Sequence, residues 1–236
     1  ISKLAELGND GVAAASDQRF FHAPDIVETF DEKGRFDGII ISSGDRARPN
    51  ETIVQNYHFY LKDRLTTSGD ITVRSRMPLS ALDRPLPVDL PDPSLCVTGS
   101  EPECTDVFTN GWKIRLQRAG EKGLSSALVA DGSVYMTTFS PSSQDGRCDP
   151  KVGSGHVYSV KLDTGRASYK TRSYDLGPGI PDGVATLGSS ILLPGPGVVP
   201  DPRSGENSPP CKGKLCSIGM NTIHRLYWRE PGIDDL

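Results

Sequence analysis

The residues that could start nucleophilic or metal chemistry are four histidines (His22, His58, His156, His224) and five cysteines (Cys96, Cys104, Cys148, Cys211, Cys216). A nucleophile needs a Ser or Cys held against a His that a third group orients. The chain has no Gly-x-Ser-x-Gly elbow, and no catalytic signature surrounds Cys148. His156 heads a strand pattern and His224 precedes Trp228, so both read as strand residues, packed or facing solvent. His22 follows Phe20 and Phe21 and reads as part of an aromatic anchor. The visible carboxylate pairs, Asp31-Glu32 beside a Gly turn and Asp234-Asp235, read as solvated charges rather than an acid–base pair across a cleft.

Metal sites fare no better. No Cys-x-x-Cys pair occurs, and no Cys–His spacing suits zinc. Calcium loops place oxygen ligands at alternate positions around a Gly. Asn9-Asp10-Gly11 with Asp17, and Gln144-Asp145-Gly146 with Asp149, imitate this poorly and read as turns. The Gly-Pro-Gly segments at Gly177–Gly179 and Gly195–Gly197 have no helix behind them to bind phosphate. One polar tetrad follows directly on an apolar run: Ser43, Gly44, Asp45 and Arg46. It is a candidate interaction loop. Its structural reading is a turn that Gly permits, Asp caps and Arg secures through a neighbouring acid.

All five cysteines fall in Pro-, Gly- or Ser-rich stretches, where disulfides compensate for a thin core. Cys96–Cys104 and Cys211–Cys216 are the preferred pairs because short loops close locally, with other pairings open. Cys148 is then free, or pairs outside this chain. An oxidising compartment is expected.

The elements that would carry these residues are strands. The 25 Gly and 19 Pro make almost a fifth of 236 residues, an excess suited to many tight turns. FDGIIISSGDR reads as a buried strand stopped by its polar tetrad, and YHFYLKDR follows. ITVRSRM alternates. WKIRLQR sets Trp112, Ile114 and Leu116 inward against Lys113, Arg115 and Gln117. LSSALVA and SVYMTTF flank Asp131-Gly132, a hairpin signal. HVYSVKL aligns His156, Tyr158, Val160 and Leu162, while VATLGSSILL and TIHRLYWRE add further strands. A short helix is expected over Ile1–Gly8.

Residues 78–110 and 194–217 read as loop excursions from a single domain spanning 1–236. The reading is all-β, with about eleven short strands at even spacing, which leaves a propeller and a sandwich open.

The net charge of −4 and a pI near 5.6 offer no basic stripe for nucleic acid. No apolar run is long enough for a membrane span. The chain begins at Ile1 without Met and reads as a mature fragment or excised domain.

Six blocks, in order, resemble the C-terminal propeller of the PilC/PilY family of type IV pilus tip-associated adhesin and biogenesis proteins. They are RFFHAPDIV (Arg19–Val27), DGIIISSGDRARP (Asp37–Pro49), FYLKDR (Phe59–Arg64), NGWKIRL with GEKGLSS (Asn110–Ser126), GSVYMTTFSP through GSGHVYSVKLDTG (Gly132–Gly165) and GIPDG (Gly179–Gly183). The resemblance implies a modified β-propeller, here an incomplete arc of blades. Eleven strands make roughly three blades where natural propellers have four to eight.

It also implies passage through the periplasm to the cell surface or pilus tip, pilus extension against retraction, twitching motility, adhesion and virulence. The implied partners are minor pilins at the pilus tip, and a host surface or glycan. Many members carry a calcium loop, which would lie upstream of Ile1, so no cofactor is expected within this chain. The expected function is protein binding without catalysis. A quinoprotein-like propeller enzyme and a purely structural propeller spacer are the alternatives, the enzyme disfavoured because only Trp112 and Trp228 are present for blade motifs.

Overall fold

The computed structural model describes residues 4–8, 17–64, 77–78, 85–86, 110–142, 152–168, 171–187, 190–194 and 215–219. The described elements are all strands, arranged in four sheets, each an open path rather than a closed barrel. ITVRSRM before Met77, TIHRLYWRE, Asp234-Asp235 and most of both excursions lie outside the described residues.

The first five-stranded sheet has the order β2 (Asp25–Asp31), β3 (Gly34–Ser42), β4 (Tyr57–Asp63), β7 (Gly111–Arg115) and β6 (Pro85–Leu86). On β3 the two-residue period is direct: Phe36, Gly38, Ile40 and Ser42 are buried, while Asp37, Ile39 and Ile41 are partly exposed. β7 carries the expected alternation, with Trp112 and Ile114 fully buried, and Leu116 continues the buried face just beyond the strand.

At the start of β7, Gly111 has φ of 119°, and a Cβ there would lie 1.9 Å from the Tyr60 carbonyl oxygen. Only glycine lets β7 and β4 approach so closely. Strand β6 joins β7 in parallel and lies inside the excursion that starts at Pro78.

The second five-stranded sheet runs β12 (Ser173–Pro178), β11 (Ser154–Lys161), β10 (Ser133–Ser140) and β8 (Lys122–Gly123), with β9 (Leu128–Ala130) also on β10. The Asp131-Gly132 hairpin forms between β9 and β10, with both turn residues at positive φ (49° and 69°), as a type I′ turn requires. A third sheet pairs β13 (Ala185–Leu187), β14 (Ser190–Pro194) and β15 (Leu215–Gly219). The last residues of the 194–217 segment are therefore strand.

One core binds the two large sheets. Phe36, Ile40, Tyr60, Trp112, Ile114 and Leu116 come from the first, and Val134, Met136, Tyr158, Val160 and Leu162 from the second. The indole N–H of Trp112 donates to the Leu162 carbonyl at 2.8 Å, which satisfies the polar atom of the largest buried side chain. On the far face of the second sheet, Ala130, Tyr135, Val157 and Leu176 pack on Ile191 of the third.

The expected helix at the start is a strand instead: β1 (Ala5–Glu6) pairs in parallel with β5 (Met77–Pro78). Leu4, Ala5 and Leu7 pack on Phe59 and Leu61, the outer face of the first sheet. Burial against that face outweighs the few tenths of a kcal/mol per residue of helix propensity (about 0.7 at most for ordinary residues).

Candidate functional site

Of the four tetrad residues, Ser43 and Gly44 are buried, Asp45 is half-buried and Arg46 is exposed. Ser43 is tied on all sides. Its N–H donates to the Tyr57 carbonyl at 2.9 Å and its Oγ to Asn56 Oδ1 at 3.1 Å, while its carbonyl accepts the Gly123 N–H at 2.9 Å. Gly44 does not need a positive φ. Its role is proximity, since a Cβ would lie 2.6 Å from the Gly123 carbonyl oxygen and 2.8 Å from Lys122 Cβ. Asp45 caps the turn, accepting the Ala47 N–H at 2.9 Å. Arg46 reaches the Leu124 carbonyl at 3.5 Å rather than an acid. Only the second half of the tetrad can meet a partner.

That half borders a pocket of about 170 Å³ lined by Asp17, Arg19, Asp45, Arg48, Glu51, Ile53, Val54, Asn56 and Lys122. Three acids and three bases face one small space, but their engagement differs. Asp17 and Arg19 neutralise each other at 3.0 Å. The Glu51 carboxylate is taken up by the Ile53 and Val54 backbone N–H groups. Asn56 is satisfied by Ser43 and by donation to the Glu121 carbonyl at 2.9 Å.

Lys122 is 1% exposed, and its ammonium donates to the carbonyls of Glu51 and of Gly120, the latter at 2.8 Å. Burial lowers its pKa, while Glu51 and Asp45 pull it back up. Sequence reading missed Lys122, Arg48 and Glu51. Lys122 was visible within GEKGLSS, yet only the fold shows a lysine buried from a two-residue strand.

A second polar group is buried between β3 and β4. Ser42 Oγ and His58 Nδ1 share a hydrogen bond of 2.6 Å across β3 and β4, and the His58 ring meets Tyr158 edge-on at 4.8 Å. A hydroxyl on an imidazole is the geometry of an activated nucleophile. Here His58 is fully buried, no carboxylate bonds its other nitrogen, and burial lowers its pKa to about 3. The pair has no access to substrate, so it is an internal hydrogen bond.

Nearby, Glu121 accepts from the Thr138 hydroxyl at 2.6 Å and from Arg118 at 3.2 Å, which pairs a buried charge. His156 is buried on β11, and burial, then Arg118, lower its pKa. His22 is half-buried, and its pKa is lowered by burial and by Arg46, while Phe20 packs on Phe59 with ring centroids 5.9 Å apart.

Cys96, Cys104, Cys148 and Cys211 lie outside the described residues. Cys216 falls in β15, its backbone opposite Leu193. Among the described residues no group of three or more His, Cys, Asp or Glu could hold a metal ion. Among the same residues, no helix is long and apolar enough to cross a membrane.

No protein-family model matches the chain. No curated protein matches it. Among solved structures it is similar to the crystal structure of the Pseudomonas aeruginosa PilY1 C-terminal domain, at 15% sequence identity and a TM-score of 0.47. The alignment covers 89% of this chain and 47% of that one, so the chain spans about half the length of the structure it matches.

Proposed function

We propose that this chain is part of a C-terminal β-propeller of a type IV pilus tip-associated protein of the PilC/PilY kind. It acts by protein binding, without catalysis, to support pilus extension and surface attachment. The observation that carries the reading is the order of six family-like blocks from Arg19 to Gly183. Those blocks fall on β2 to β4 and on β7, β8, β10 and β11, and they supply most of the core joining the two large sheets. Successive sheets share apolar faces, an arrangement compatible with stacked blades. The working location is the pilus tip or outer cell surface after transit through the periplasm, with minor pilins as the first partners.

The test is deletion of these residues from the full-length protein in cells that produce it. The expected result is loss of surface pili and twitching, with pili restored when retraction is disabled. Normal piliation and twitching would overturn the proposal.

A further inference from the structure

The geometry points to the pocket beside Asp45 as a carboxylate-binding site: Lys122 and Arg48 take the carboxylate of an acidic side chain from a partner protein, whose methylene stem lies against Ile53 and Val54. Lys122 has three N–H donors and two carbonyl acceptors, which leaves one donor for a ligand. Its side chain is buried, so that donor is fixed in place and loses little freedom on binding. Among the described residues, the Arg48 guanidinium has no carboxylate within salt-bridge distance, and Arg48 lines the same pocket.

The acids of the pocket are already occupied. Asp17 is held by Arg19, Glu51 by two backbone N–H groups and Asp45 by the Ala47 N–H. Each acid accepts a hydrogen bond from a donor of its own, while Lys122 keeps one N–H and Arg48 its guanidinium for a new partner. A charge-assisted hydrogen bond to a carboxylate is the strongest contact such cations can make.

The wall formed by Ile53, which is 73% exposed, and Val54 suits an aliphatic stem. A sugar acid would also need partners for its ring hydroxyls. Asn56 and Glu51, the uncharged and acidic groups best placed to serve them, are already engaged. An acidic peptide side chain fits better than a sugar acid.

This inference rests on reading the chain as a protein-binding module, though not on which protein it binds. It is tested on the 236-residue chain by following backbone amide NMR signals of Ile53, Val54, Lys122 and Gly123. Three probes are added in turn: acetyl-Gly-Glu-Gly-amide, its Gln counterpart and its Lys counterpart. The expected result is saturable shifts with the Glu peptide and binding at least about tenfold weaker with Gln, a ratio that corresponds to about 1.4 kcal/mol.

Arg48→Ala, at an exposed position that should not disturb folding, is expected to weaken the Glu peptide about threefold to tenfold. Lys122→Met should abolish the response if it folds. Equal binding of Glu and Gln peptides, preference for the Lys peptide, or tighter binding of N-acetylneuraminic acid would each overturn the inference. Failure here with normal loss of pili on deletion sinks the pocket alone. The reverse outcome sinks the pilus reading and leaves the pocket standing.

Discussion

Ser42–His58 and the Lys122 pocket are built from neighbouring backbone, since Ser42 ends β3 and Gly123 N–H bonds to Ser43 just beyond it. The first pair has residue types known for catalysis and no access. The second has ordinary surface residue types and an open space. What separates them is not exposure, since Lys122 is as buried as His58, but the pocket that Lys122 lines and the pair does not. Burial makes the imidazole neutral and inert, whereas Lys122 lines a pocket while its ammonium holds two carbonyl acceptors.

The largest test of this contrast is acid. With His58 at about 3 when folded and near 6.5 when unfolded, the unfolded chain binds a proton in this window that the folded chain refuses. Stability should therefore fall as pH drops from 6.5 toward 3. The slope is about 1.4 kcal/mol per pH unit, or roughly 3 kcal/mol by pH 4. The lowered pKa values of His22 and His156 act in the same direction. Asp31, held low first by Arg64 and also by Lys62, adds acid sensitivity only below its unfolded value of 3.8. Urea unfolding across pH reads this directly. A flat profile from pH 6.5 to 4.5, or no shallower slope in His58→Gln, would contradict a sealed histidine.

Next in size is the joint between the two regions. Gly44→Ala forces a methyl against the Gly123 carbonyl and should cost about 2 kcal/mol in chemical denaturation. A loss below about 0.5 would mean that β3 and β8 are not in close contact. Ser42→Ala removes one buried hydrogen bond and should cost about 1 kcal/mol. It should leave the pocket's response to the Glu peptide unchanged, and a lost response would show that the two regions are not separate. The smallest expected effect is Arg19→Ala. It opens a solvent-screened ion pair and should leave stability essentially unchanged. A measurable loss would make the pocket rim structural.

Much of the scaffold was legible because short-range rules decide it. The Asp131-Gly132 turn needs only two residues at positive φ, and the burial of Trp112, Ile114 and Leu116 follows from a period of two. The opening segment departs from the expected helix because Leu4, Ala5 and Leu7 satisfy a helical spacing and an extended one equally well. Only Phe59 and Leu61, far along the chain, decide that they pack as an extended segment. The Ser42–His58 contact spans 16 residues and two strands, so no local motif announces it. Lys122 escaped notice for the opposite reason. A lysine between Glu and Gly reads as surface, and its burial depends on Gly44, Glu51 and Gly120 closing around it. The tetrad was found, but half of it turned out to be a joint.

The most direct test of the central claim is a photo-crosslinking amino acid placed at Arg46, which is exposed and outside the pocket, in the full-length protein within piliated cells. The account predicts that the protein appears in the sheared pilus fraction, cross-linked to a minor pilin. Abundant pili that carry none of the protein, with no pilin cross-link, would contradict it.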